Sequence, residues 1–207
     1  MDQPNSEARA RLAEQAARRA RSGLEPGPVL SGLRLLTTAE LLCPAPPPRR
    51  PADAASVLDA LCGAVQAGVR RRAGWLYAMV FAQEALPVAV HVRLLQAAVL
   101  CVLRGALYTG GSRAVVRCLP REGQILLCAR GGAASLTPAD TVPLWKRLAA
   151  EGGGTAVFGA GPVFTAAARL PLCSGTPAPC ATVQDLLRDR YALPYLYLGD
   201  WFAQPWV

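Results

Sequence analysis

A single histidine, His91, is the only imidazole among 207 residues. No Cys, Asp or Glu flanks it at metal-ligand spacing, so the sequence assigns it neither a metal nor a catalytic role. One histidine in this setting supports no Ser-His-Asp or Cys-His arrangement. Seven cysteines (Cys43, Cys62, Cys101, Cys118, Cys128, Cys173 and Cys180) make an odd number with no CxxC pair. Five of them sit in apolar segments, where a thiol acts as a small hydrophobe. They are expected to be reduced and structural, with Cys173 and Cys180, across a Pro-rich loop, the one pair that could join. Gly131-Gly132 and Gly152-Gly153-Gly154 invite comparison with phosphate cradles. Neither is followed by a helix start with a partner Lys or Asn, so turn and helix-stop roles are expected. The run Arg70-Arg71-Arg72 reads as a solvated helix end.

These residues need elements to hold them. Residues 5–21 and Val29 to Leu42 show helical spacing, separated by Pro26-Gly27-Pro28, and read as a helical hairpin. Pro44 to Pro51 is a stiff linker, since proline lacks an N–H and fixes φ. Asp53 then caps a helix to about Arg70, with Val57, Leu61, Val65 and Val69 on one face. Trp75 to Phe81 reads as a strand. His91 to Leu107 reads as a helix with Leu95, Val99, Val102 and Ala106 inward and Arg93 and Arg104 outward. Strands around Ala114–Cys118 and Ile125–Cys128 are joined by a turn at Arg121-Glu122-Gly123. Thr137 is expected to cap the next helix, with Pro138 in its first position. A last hairpin pairs Thr155–Phe158 with Val163–Leu170. The order α-β-α-β-β-α-β-β over residues 52–172 predicts an α+β fold, a two-layer sandwich of helices on one face of a mixed sheet.

Composition bounds the rest. A 52% hydrophobic and 17% charged chain is not disordered and should pack a core. Its 22 basic against 14 acidic residues give a net charge of +8, and Lys146 is the only lysine. No apolar run is long enough to cross a bilayer, and the polar N-terminus shows no signal peptide. A cytoplasmic location and no membrane partner are expected.

The element order, with three phrases, resembles the ATP-binding domain of sensor histidine kinases, within the ATPase superfamily that includes gyrase and MutL. The phrases are Leu86 to Gln96, where the family usually carries Asp in place of His91; Ala98 to Thr109, similar to the family's Asn-containing helix; and Leu148 to Gly153 with the closing hairpin to Leu172. Gly23 to Gly32 is similar to the kinase dimerisation hairpin, with Arg21 where the phosphorylated histidine would stand; alternatively, Leu33 to Leu42 matches the end of that hairpin's second helix, and in neither alignment is a histidine available. The resemblance implies a histidine-kinase-type ATPase topology preceded by a dimerisation-like hairpin.

It also implies three nucleotide features, and each is altered. The Mg²⁺-binding Asn corresponds to Gly105, with the thiol of Cys101 one turn earlier, whereas Mg²⁺ needs hard oxygen donors. The adenine-binding Asp falls in the stretch Ala129 to Ala133, which keeps Gly131 and has no acceptor. The glycine-rich loop before the next helix is replaced by Thr137 to Asp140, and only six positions separate Gly131 from Thr137, too few for a nucleotide lid. Neither ATP nor Mg²⁺ is therefore expected as a cofactor, and no residue is assigned a catalytic or metal-binding role.

Beyond residue 172 the chain departs from the family. Tyr191, Tyr195, Tyr197, Trp201, Phe202 and Trp206 follow a short helix near Val183 to Arg190. Such aromatic density either folds back over the sheet or the vacated cleft, or docks a partner. The organisation expected is 1–43 hairpin, 44–51 linker, 52–172 sandwich and 173–207 aromatic extension. The function expected is that of a catalytically inactive histidine-kinase-like protein, regulating or scaffolding bacterial signalling through a protein partner and forming a homodimer. A divergent ATP-binding kinase or phosphotransferase is the alternative. A nucleic-acid binder ranks last, because the arginines are scattered and no binding motif accompanies them.

Overall fold

The computed structural model describes residues 11, 14, 27–43, 50–69, 75–81, 83–110, 113–189 and 191–202. Most of the expected first helix, Arg21, most of the proline linker, Arg70 to Arg72 and Trp206 lie outside the described residues.

The elements are helix α1 (Gly27–Leu42), strand β1 (Ala52–Asp53), α2 (Ala54–Gly68), β2 (Leu76–Val80), β3 (Pro87–Val88) and α3 (Val92–Tyr108). They continue through β4 (Ala114–Arg121), β5 (Gln124–Arg130), α4 (Thr141–Glu151), β6 (Thr155–Ala160), β7 (Phe164–Pro171), α5 (Val183–Arg188) and α6 (Leu193–Leu198). The main sheet runs β2-β4-β5-β7-β6. β2 and β4 are parallel and the other pairs antiparallel. A parallel pair needs a crossover, and α3 supplies it. β1 and β3 form a separate two-residue antiparallel ladder.

Asp53 begins α2 as the sequence predicts. Its Oδ1 accepts from the Ala55 N–H at 3.2 Å and from the Leu86 N–H at 2.9 Å, so one carboxylate both caps the helix and fixes the chain leading into β3. Val57, Leu61, Val65 and Val69 are all buried. On the strands, Ala114, Val116 and Cys118 of β4, Ile125, Leu127 and Ala129 of β5, and Phe164, Ala166, Ala168 and Leu170 of β7 alternate inward, as period-two geometry requires. The α+β sandwich with a mixed sheet is the architecture observed.

Every residue of α3 from Leu94 to Leu107 is buried. Helices buried all round have neighbours on both sides. Here the sheet lies beneath α3, while α1 and α6 pack above it. Val29, Leu30 and Leu33 of α1, and Leu193, Leu196, Tyr197 and Leu198 of α6, share one apolar core with the sandwich.

Two local expectations are corrected. Thr137 does not cap α4: it precedes Pro138, which disfavours helical backbone there, and its φ of −72° and ψ of 129° are extended. Its amide donates to Ala134 O at 3.3 Å, ending a 3₁₀ turn over Ala134–Leu136. α4 starts one turn later, at Thr141, after Asp140. Arg104, expected to point outward, is 6% exposed, because α6 and the segment after it cover that side of α3.

Candidate functional site

The positions that the resemblance assigns to nucleotide binding gather along one face of α3. Cys101 and Gly105 are successive turns of that face, and both are buried. Ala129 points inward from the middle of β5 with no exposed surface. After β5 the backbone turns back across α3. The Gly131 amide donates to Phe164 O at 3.1 Å and the Phe164 amide to Gly132 O at 2.9 Å, which pins the turn to β7. Gly132 has φ of +74°, and a Cβ there would lie 2.5 Å from the carbonyl carbon and oxygen of Gly105. A Cβ at Gly105 would sit 3.4 Å from both Pro138 Cδ and Thr137 Cα. Room remains for a methyl group at Gly105 and little more. Gly105, Gly131 and Thr137 are thus brought together, with backbone from residues 131–138 laid against the helix.

The tail covers the adjoining stripe. The Arg104 guanidinium donates to the Tyr197 carbonyl, to Tyr108 Oη and to Asp200 Oδ2 at 3.1 Å. Its carbon lies 5.0 Å from the Tyr108 ring centre and 5.2 Å from that of Trp201, and those rings meet edge to face at 4.9 Å. Tyr197, 1% exposed, forms a 2.7 Å hydrogen bond with Thr38 Oγ1 and so ties the tail to α1. Phe202 stacks near Tyr195, ring centres 4.7 Å apart, and fills the space left by Gly68, where a Cβ would come within 2.0 Å of the ring. Of the aromatics singled out in the sequence, Tyr197 is buried, and Tyr195, Trp201 and Phe202 are half-buried.

Burial of neutral thiols sets a pH dependence. Cys62, Cys101 and Cys118 are each pushed up to about 12 by burial, from an ordinary 9.0. The fold therefore holds these protons more tightly than the unfolded chain does. Their contribution is intact below pH 9.0 and is lost as pH rises from there toward 12. Burial also raises the Tyr197 hydroxyl, which acts in the same direction. Urea midpoints should fall steadily across that alkaline window, and a Cys101→Ala variant should show a shallower fall; a flat profile refutes the linkage. All seven cysteines are free, Cys173 and Cys180 included.

His91 has a partner that the sequence did not reveal. Its Nδ1 lies 2.5 Å from Glu151 Oε1, which also accepts the His91 backbone N–H at 2.6 Å. The carboxylate is 7% exposed and sits at the amino end of α3, where it complements the helix dipole. Sixty residues separate the pair, so no local spacing announces it. A cavity of about 420 Å³ borders them, with Glu40, Cys43 and Arg93 also in its lining. No cluster of three or more His, Cys, Asp or Glu suited to a metal occurs among the described residues.

The sequence matches no protein-family model and no curated protein. Solved structures do match. Full-length ShkA in complex with AMPPNP aligns with a TM-score of 0.54 at 14% identity, over 73% of this chain and 37% of that one. The histidine kinase domain of the E. coli osmosensor EnvZ aligns at 0.49 and 14% identity, over 68% of this chain and 99% of that domain. The Acinetobacter baumannii histidine kinase AdeS aligns at 0.49 and 13%, over 72% and 81%. On the ShkA alignment the chain has a histidine-kinase-like fold, and it spans just over a third of that chain. No helix among the described residues is long and apolar enough to cross a membrane.

Proposed function

We propose that this chain is a catalytically inactive, histidine-kinase-like protein that acts by binding a protein partner, as a homodimer, in bacterial cytoplasmic signalling. The observation that carries the reading is the packing of residues 131–138 onto Gly105. In the kinase resemblance that position supplies an oxygen ligand to Mg²⁺. Here it has no side chain, the nearest turn offers a thiol, and Mg²⁺ requires hard oxygen donors in octahedral array. Ala129 carries no acceptor for an adenine amino group. The donor set does not fit a Mg²⁺–nucleotide group, and no phosphoryl-transfer step is derived through one.

Titration with ATP and Mg²⁺ by calorimetry is the test. No heat of binding at millimolar nucleotide is the expected result. Mg²⁺-dependent micromolar binding overturns the reading and favours a divergent kinase, and acid-labile phosphate on His91 after incubation with a phosphorylated response regulator overturns it in favour of a phosphotransferase.

A further inference from the structure

The sheet has one face under the helices and one turned outward. On the outward face Met79, Val115, Leu119, Leu126 and Val157 are half-buried or exposed, an apolar field spread over four strands. Arg117, Arg121, Arg130 and Arg169 stand among them, all exposed, and none of their guanidinium groups forms an ion pair or hydrogen bond among the described residues. No strand of the sheet contains Asp or Glu. Along β4 the outward positions read Val115, Arg117, Leu119, Arg121, an alternation of apolar and cationic groups about 7 Å apart. The register places Leu119 opposite Leu126, and Leu126 opposite Arg169. At that end Arg121 and Arg169 line a cavity of about 380 Å³ together with Gln124 and Leu126, with Glu122 of the hairpin turn the one acidic side chain in its lining.

We propose that this face docks an acidic partner segment in which carboxylates alternate with apolar side chains, with one carboxylate held between Arg121 and Arg169. The identification rests on the binding reading above and gives that partner a surface and a chemistry. Guanidinium groups bind carboxylates through paired donors, and the apolar rows between them accept the alternate side chains. A second copy is disfavoured, since apposed faces would set four arginines against four. Stacking on single-stranded nucleic acid is disfavoured as well. Tyr77 stands on the outward face opposite Val115, and Phe81 follows at the end of the edge strand β2, but neither lines the cavity between Arg121 and Arg169 where the anion would sit.

The test uses the full chain and a fluorescent synthetic peptide of alternating glutamate and leucine. Saturable binding that weakens with salt is expected. Combined Arg121→Glu and Arg169→Glu should weaken it about tenfold or more, while Arg188→Glu, a reversal on α5 outside the face, should leave it unchanged. Both reversed side chains are exposed, so urea midpoints should stay at the parent value. Absence of peptide binding overturns the proposal, as does binding that the double variant leaves intact. Tighter binding of a single-stranded oligonucleotide or of phosphatidylserine vesicles, lost in the same double variant, also overturns it and reassigns the face. Nucleotide binding would refute the inactive-kinase reading without altering the peptide result, so the two failures are separable.

Discussion

Arg104→Ala is expected to destabilise the protein by about 2–4 kcal/mol, from one buried acceptor left unpaired, at about 1–3 kcal/mol, together with lost packing and cation–π attraction. Three acceptors lose their donor at once. The Tyr197 carbonyl is left in a buried site without its donor, Tyr108 Oη loses its contact, and Asp200 loses its cation. The Tyr108 and Trp201 rings also lose the planar group near both of them, and with it packing and cation–π attraction. The Asp200 part of this is small: that side chain is 52% exposed, and a solvated ion pair contributes under about 1 kcal/mol. Asp200→Asn should therefore be nearly silent. Arg104→Lys should fall between, keeping the charge but losing the fork that reaches several acceptors. Urea unfolding gives the free energies, and proteolysis after α6 reports whether the tail comes away first. A loss below about 1 kcal/mol for Arg104→Ala would mean that the tail is held by its apolar contacts and the Tyr197–Thr38 hydrogen bond without help from Arg104.

The order of elements was legible because alternation on strands and i+4 spacing on helices are local. Phe164, Ala166, Ala168 and Leu170 are buried on one face of β7 as their spacing implies, and Asp53 caps where a cap was expected. Arg104 was misread for the complementary reason. On a helical wheel an arginine belongs on the wet side, unless something distant in sequence supplies acceptors, and Tyr197 and Asp200 come more than ninety residues later. The His91–Glu151 contact escaped for the same cause. Thr137 was a capping residue by type, yet the proline after it decided its backbone. The positions that the resemblance assigns to nucleotide binding could be named from the sequence. That the chain's own loop lies across them could not, because Gly131 and Gly132 read only as a turn until their approach to α3 is seen. The outward rows of the sheet were partly visible in the alternation of Val115 and Arg117; their continuation through Leu126 and Arg169 depends on strand order.

Gly132→Ala should be among the most damaging single-methyl changes, at more than about 4 kcal/mol. Two costs combine. An L-residue at φ of +74° carries about 1–2 kcal/mol of strain. The new Cβ would also lie 2.5 Å from the Gly105 carbonyl group and 2.8 Å from the Ala106 nitrogen, backbone of a helix buried on every side that cannot move away. The turn would have to lift, breaking the paired hydrogen bonds between Gly131–Gly132 and Phe164 at roughly 1 kcal/mol each. Gly123 separates the two costs. Its φ is +76°, nearly the same, but a Cβ there meets nothing within 4 Å, so Gly123→Ala should show the strain alone, about 1–2 kcal/mol. Comparable losses for the two variants, measured by urea unfolding, would show that the turn does not press on α3, and the packing over Gly105 that supports the inactive-kinase reading would go with it. A much larger loss at Gly132 makes that contact an energetic part of the fold, which a chain needing the same space for nucleotide has no reason to keep.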